Sequence, residues 1–361
     1  MKRLLVFLIL FIIGITLPFG CTGNSPNAPG TRGSGQANEL SIYNWSSYID
    51  PEAISEFEKK FSVKVKYDTF ESNEALYAKL QAGNPGYDVI FPSDYMVTTM
   101  AKENMLEELN HENIPNIKNI DEKFIDPPFD PGNKYSLPYQ WGTAGIGYNI
   151  TVTGGEIDSW QALFDPKFKG RVGLLDEMRS VLSTILIYLG YDPNTTSPDE
   201  INKARDFLIE HKNAIAVFAE DNGQLLLDQG QVDLTYEWSG DIFQVMKENA
   251  NLRYTIPKEG SLIYVDTMAI PKDAPHQELA EKFINFILEP EIGAKISNYI
   301  KYATPNKAAR EKGLINQDDL KNPSIYPTPE IFARLQYLKD VGDATSLYDE
   351  AWTEIKASAG K

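Results

Sequence analysis

Tyr87-Asp88-Val89-Ile90-Phe91-Pro92-Ser93-Asp94-Tyr95 is the stretch that decides the fold. Its first five residues are short and almost wholly apolar, and Pro92 closes them, which is the pattern of a strand buried on both faces. Outward toward the N-terminus, Leu40-Ser41-Ile42-Tyr43 reads as a short strand and Pro51 opens a helix carrying Ile54, Phe57 and Phe61. Val63, Val65 and Tyr67 alternate as a second strand, and Asn73 is placed to cap a helix with Leu76, Tyr77 and Leu80. Strand, helix, strand, helix, strand predicts a parallel, doubly wound sheet with right-handed crossovers. Ligands of such sheets sit outside the carboxyl ends of the strands. The segments 44–48 and 93–95 follow directly on two of those ends.

Outward toward the C-terminus the pattern repeats. Gly142, Ala144, Gly145 and Gly147 surround Ile146, a small and pliable run suited to a hinge strand between two lobes. Val172-Gly173-Leu174-Leu175 leads as a strand into Asp176-Glu177, and helices are expected at 179–189, 199–209 and 225–230. Val232 to Trp238 alternates as a strand that turns at Ser239-Gly240. Leu262 to Pro271 reads as a second crossover strand, followed by a helix with Ala280, Phe283, Ile284, Phe286 and Ile287. The expected fold is α/β: two lobes, each a doubly wound mixed sheet with flanking helices, joined by hinge strands that let a clamshell close.

Four segments place an aromatic ring beside an acid or a hydroxyl: Trp45-Ser46-Ser47-Tyr48, Ser93-Asp94-Tyr95, Trp238-Ser239-Gly240-Asp241 and Tyr264-Val265-Asp266. Ring faces attract an ammonium through their quadrupole and cover its methylenes, while carboxylates accept its N–H bonds. Any one segment reads equally well as a core aromatic beside a solvated acid. Together, at strand ends, they suit a cleft for a small organic cation.

Lys2 and Arg3 precede an unbroken apolar run from Leu4 to Ile13, the pattern of a secretory signal peptide over 1–20. Cys21, the single cysteine, stands where that run ends, after Gly20, and cannot form an internal disulfide. Residues 21–38 are rich in Gly, Ser, Asn, Pro and Thr and read as a flexible tether. The body that follows, about 320 residues, exceeds the size at which a single core stops growing. Lys and Arg number 34 against 51 Asp and Glu, a net charge of −17 that argues against a nucleic-acid partner. It also favours encounter with cations.

A carboxylate-dependent hydrolase is the rival from another class. Against it, His111, His211 and His276 fall in polar or helix-edge settings without a partner motif. No Gly-x-Ser-x-Gly, phosphate loop or His-Glu-x-x-His occurs, so no catalytic residue, metal or cofactor is expected.

Tyr43-Asn44-Trp45, Phe70-Glu71-Ser72-Asn73-Glu74, Ser159-Trp160 through Lys169-Gly170, Ala303-Thr304-Pro305-Asn306 and Asp340-Val341-Gly342 give the chain a marked resemblance. From about Leu40 to Ile355 it resembles the spermidine/putrescine-binding proteins of bacterial ABC transporters. The resemblance implies a type II periplasmic-binding-protein clamshell that acts as a monomer, captures a polyamine and delivers it to a permease. Lobe 1 would hold residues 39–143 and 267–310, and lobe 2 residues 144–266 and 311–361. The arrangement at Cys21 resembles a lipoprotein signal, although Pro18 and Phe19 depart from it. It implies a lipid-anchored, extracytoplasmic protein.

Carried over by position, the ligand wall would be Trp45, Ser46, Tyr48, Ser93, Tyr95, Trp238, Tyr264 and Tyr302. Asp266 would hold one ammonium, Asp241 would act as in putrescine receptors, and Glu177 or Asp176 would add a carboxylate. Ser47 and Ser180 stand where relatives carry acids, and Leu338 where glutamine is common. Fewer acids favour putrescine over spermidine unless Asp94, Glu220 or Asp241 compensates. Agmatine or a basic amino acid is the alternative cargo.

Overall fold

The computed structural model describes residues 39–359, so Cys21, the leader and the tether lie outside the described residues. The strands are β1 (Glu39–Trp45), β2 (Lys64–Phe70), β3 (Val89–Ile90), β4 (Ser136–Asn149), β5 (Val172–Leu175), β6 (Ile215–Ala219), β7 (Leu234–Trp238), β8 (Leu252–Thr255), β9 (Ser261–Ala269) and β10 (Leu335–Tyr337). They form one mixed sheet in the order β2-β1-β3-β9-β4-β7-β5-β6, with β10 beside β9 and β8 beside β4. β1 is parallel to β2 and β3, and β5 is parallel to β6 and β7. β9 and β4 run antiparallel between these two parallel sets. The α/β fold expected from sequence is the one observed.

Local chemistry sets the first crossovers. Helix α1 (Pro51–Phe61) has Pro51 in its first turn, is capped by the Asp50 side chain at Glu52 N, and stops where Ser62 turns left-handed at φ 54°. Helix α2 (Asn73–Gln81) is capped by Ser72, whose side chain accepts from Ala75 N. The cap therefore falls one residue before Asn73, which frees the Asn73 amide for another role. β3 is shorter than the apolar run, because the Asp88 carboxylate accepts from Ser41 N at 2.8 Å and His276 N at 2.8 Å. Helix α3 (Asp94–Lys102) begins at once after Pro92-Ser93.

Two hydrophobic cores lie along the sheet, and the middle strands serve both. Leu137, Tyr139 and Trp141 of β4 belong to the first core, and Ala144, Ile146 and Tyr148 to the second. The reason is the partner. Through Thr143, β4 pairs with β9, and from Ala144 it pairs with β7. Ile325 packs in the first core, beside a cluster in which Ile315 meets Ala294 and Ala309. Tyr348, Ala351, Trp352 and Ile355 of the C-terminal helix pack in the second. Ile325 thus packs with the first core and Ile315 with that smaller cluster.

Two glycines of β4 are packing requirements. A Cβ at Gly145 would lie 2.4 Å from the Thr255 carbonyl oxygen, and one at Gly147 would lie 2.3 Å from Ile242 Cδ1. Close approach by β8 and by the helix Ser239–Met246 dictates them. Among the described residues no helix is long and apolar enough to cross a membrane.

Candidate functional site

A cavity opens at the carboxyl ends of β1, β3, β5, β6 and β7, beside the middle of β9. All eleven residues singled out from sequence line it: Trp45, Ser46, Tyr48, Ser93, Tyr95, Glu177, Trp238, Asp241, Tyr264, Asp266 and Tyr302. Parallel strands end in loops that converge, which is why residues so distant in sequence meet there. Trp238 and Leu338 pack against both hydrophobic cores and mark the junction between them.

Five carboxylates face this cavity. Asp266 accepts from the Tyr48 hydroxyl at 2.6 Å and from Ser93 Oγ at 2.6 Å. Asp241 accepts from the Tyr302 hydroxyl at 2.8 Å and Gln244 Nε2 at 3.1 Å. Glu177 accepts from Ser180 Oγ, and from the Asn73 backbone N–H and side-chain amide, each at 3.4 Å. Asp221 accepts from Ser46 Oγ at 2.6 Å and Ser46 N at 3.2 Å. Asp94 is held by the backbone N–H groups of Tyr95 at 2.7 Å and Val265 at 3.1 Å, which ties α3 to β9.

Among the described residues no lysine, arginine or histidine lines the cavity to balance these acids. Asp241 and Asp266 are 5% and 4% exposed, and burial pushes each carboxyl up to about 7, against hydrogen bonds from Tyr302, Ser93 and Tyr48 that pull it down. Burial takes Asp94 up to about 8. Burial raises Glu177, and burial with the neighbouring charge of Asp241 raises Asp221. Acids raised in this way are short of positive charge. A ligand cation would supply it.

Aromatic rings form the remaining wall. Trp238 meets Tyr264 edge-on at 4.9 Å, and Tyr48 meets Tyr302 edge-on at 4.7 Å. The Trp45 indole N–H donates to the Phe91 carbonyl at 2.9 Å, which fixes its ring beside Phe70 at 4.6 Å. Gly142 leaves room for Tyr264, whose hydroxyl would lie 2.8 Å from a Cβ there. Rings locked in this way present faces and edges to the cavity at little entropic cost on binding.

The family model of bacterial extracellular solute-binding proteins matches residues 52–324. The chain belongs to that family. It is 37% identical over 322 residues to the spermidine/putrescine-binding periplasmic protein of Escherichia coli, covering 89% of this chain and 92% of that one. A solved structure from Listeria monocytogenes, ascribed to a spermidine/putrescine ABC transporter, shares 39% identity with a TM-score of 0.84 over 89% of this chain and 99% of that one. A lipoprotein of Treponema pallidum shares 29% identity with a TM-score of 0.76 over 88% and 99%. The resemblance drawn from sequence to spermidine/putrescine-binding proteins is therefore the relationship these comparisons give.

Within this solute-binding protein, the cavity wall includes residues that the sequence pattern does not single out as ligand contacts. Asn73 lines the cavity, linking Ser93 at 3.0 Å to Glu177. Asp221 lines it while its neighbour Glu220 is exposed in an outer recess. The signal for Asp221 is its place after a strand, as with Glu177 after β5, but β6 does not stand out in the sequence pattern. Asp176 turns away to Trp352 Nε1 at 3.2 Å and to Lys356, which leaves Glu177 as the inward acid. Ser47 is exposed at φ 48° and does not line the cavity, so its missing charge removes no carboxylate from this wall. Ser180 does line it, with its hydroxyl on Glu177.

Proposed function

We propose that this protein is an extracytoplasmic receptor that captures a linear polyamine, putrescine or spermidine, and delivers it to the permease of an ABC transporter. One observation carries the reading: among the described residues, five buried carboxylates and six aromatic rings line a single cavity without a basic residue. An anion receptor would need the opposite charge, and a sugar site would leave these acids uncompensated. The ammonium groups would dock at Asp266 and Asp241, with the methylenes between the rings of Trp238, Tyr264, Tyr48 and Tyr302. The names of its relatives support the same cargo.

The lobes in this reading are residues 39–143 with the chain after β9 as far as about 326, and residues 144–266 with the C-terminal helix. They close across the cavity, where Ser46 meets Asp221, Asn73 meets Glu177 and Tyr302 meets Asp241. Lipid on Cys21 would hold the protein at the membrane, in keeping with the lipoprotein among its relatives. A thermal-shift panel of putrescine, cadaverine, agmatine, spermidine, spermine, lysine and arginine tests the reading. Ligand at a hundred times its Kd stabilises the folded state by about 2.7 kcal/mol. Stabilisation by an anion or a sugar, with none from any amine, would overturn it.

A further inference from the structure

We infer that Asp221 is a specificity-determining carboxylate, which supplies the counter-charge for one ammonium beyond those held by Asp241 and Asp266. The inference rests on the amine reading above and extends it to which amine is preferred.

Asp221 lies two residues past the end of β6 and is 6% exposed. Ser46, which follows β1 across the cavity, brings both its backbone N–H and its hydroxyl to Asp221 Oδ2, and the hydroxyl also reaches the Asp221 carbonyl at 3.2 Å. Oδ1 receives no hydrogen bond among the described residues. The other four carboxylates of the wall differ in this respect. Asp94, Glu177, Asp241 and Asp266 each have a protein donor on both oxygens. That oxygen keeps accessible surface, so a donor arriving with the ligand can reach it.

The backbone points the same way. Asp221 holds φ 32°, on the left-handed side that residues with a Cβ avoid, and such strain concentrates at binding sites. The negative charges of Asp241 and Glu177 both bear on it, so positive charge placed beside it relieves repulsion among all three. A diamine brings two ammonium groups, which Asp241 and Asp266 match. A triamine brings a third, and Asp221 is the acid with an oxygen still unused. Ser46 sits on the same carboxylate, so filling this position also steadies the contact between the facing sides of the cavity.

Calorimetric titration of putrescine and spermidine into the purified wild type, Asp221→Asn and Ser46→Ala tests the inference. Asp221→Asn keeps the shape, and Ser46 still has an oxygen to donate to. It is expected to weaken spermidine by at least about tenfold while leaving putrescine within about threefold. Ser46→Ala keeps the charge and is expected to weaken both amines by similar factors. Equal losses for the two amines in Asp221→Asn, or no loss, would overturn the assignment of Asp221 while leaving the amine site standing. Loss of spermidine alone in Ser46→Ala would place selectivity in the hydroxyl and overturn it as well. A wild type that binds neither amine would overturn the reading of the cavity itself, and this inference with it. Should Asp221→Asn lose its melting transition, Asp221→Glu takes its place. That variant is expected to keep the wild-type ratio of spermidine to putrescine affinity within about threefold, and a larger change would overturn the inference.

Discussion

The Tyr302 hydroxyl donates to Asp241 at 2.8 Å while its ring packs against Gly240, so close that a Cβ there would fall 2.1 Å from Tyr302 Cδ2. Gly240 and Asp241, just past Trp238, thus act on the same ring. Gly240 seats it, and the ring in turn orients the acid. Tyr302 also meets Tyr48 edge-on, and Tyr48 holds Asp266. The two acids proposed to dock ammonium groups are therefore linked through a pair of tyrosines.

That seating gives the first prediction. Gly240→Ala forces the Tyr302 ring out of place, an overpacking expected to cost about 1–3 kcal/mol of stability. Because Tyr302 is displaced from Asp241, polyamine affinity should fall as well. Chemical denaturation and calorimetry on the same variant check both. Unchanged polyamine affinity would mean that Tyr302 does not orient Asp241.

Asp266 has both oxygens held by side chains of the cavity wall. Asp266→Asn keeps the shape and removes the charge. Leaving one partner of a buried ion pair uncompensated costs about 3–5 kcal/mol, roughly two to three and a half orders of magnitude in Kd. Titration of putrescine into the variant measures it directly. A loss below about threefold would place the ammonium elsewhere in the cavity.

Anchoring is tested apart from binding. Cys21→Ala is expected to release the protein from the membrane fraction while its thermal shift with polyamine stays as in the wild type. Membrane association that survives the substitution would show that the leader acts as an ordinary anchor or that Cys21 is incidental.

Much of this site is legible in the sequence because its residues obey a local rule. Trp45, Ser93, Glu177 and Trp238 each sit at or just past a strand end, and β3 and β5 announce themselves by apolar runs, β1 and β7 by short strand-like patterns. The failures share a cause too. β6 is short and half-buried, so Ile215 to Ala219 gives no clear periodicity, and Asp221 is lost with it. Its partner Ser46 lies 175 positions away, a pairing that only the folded sheet defines. Asn73 reads as a helix cap because its neighbour Ser72 could do the same work, and a sequence does not say which of two capping residues turns inward. Gly145 and Gly147 of β4 read as pliability, and crowding also requires them, since a run of small residues serves both.

The pH dependence follows from Asp241 and Asp266, whose carboxyls burial has raised from 3.8 to about 7 in the ligand-free protein. Both must be ionised to pair with ammonium, and the pairing pulls their pKa values back down. Between the lowered and raised values, binding expels protons. Affinity for putrescine is then expected to rise with pH from about 5 to 7, by up to about tenfold per unit for each proton displaced, and to level off above about 8. The ligand-free fold has the opposite slope. Its raised acids bind more protons folded than unfolded between roughly pH 4 and 7, so its stability grows as pH falls through that window and is lost as pH rises through 7. Calorimetry in buffers of differing ionisation enthalpy counts the protons released, and melting curves with and without putrescine give the two slopes. A Kd that stays flat from about pH 5 to 8 would mean that Asp241 and Asp266 are already ionised without ligand, and that the cavity holds its own positive charge.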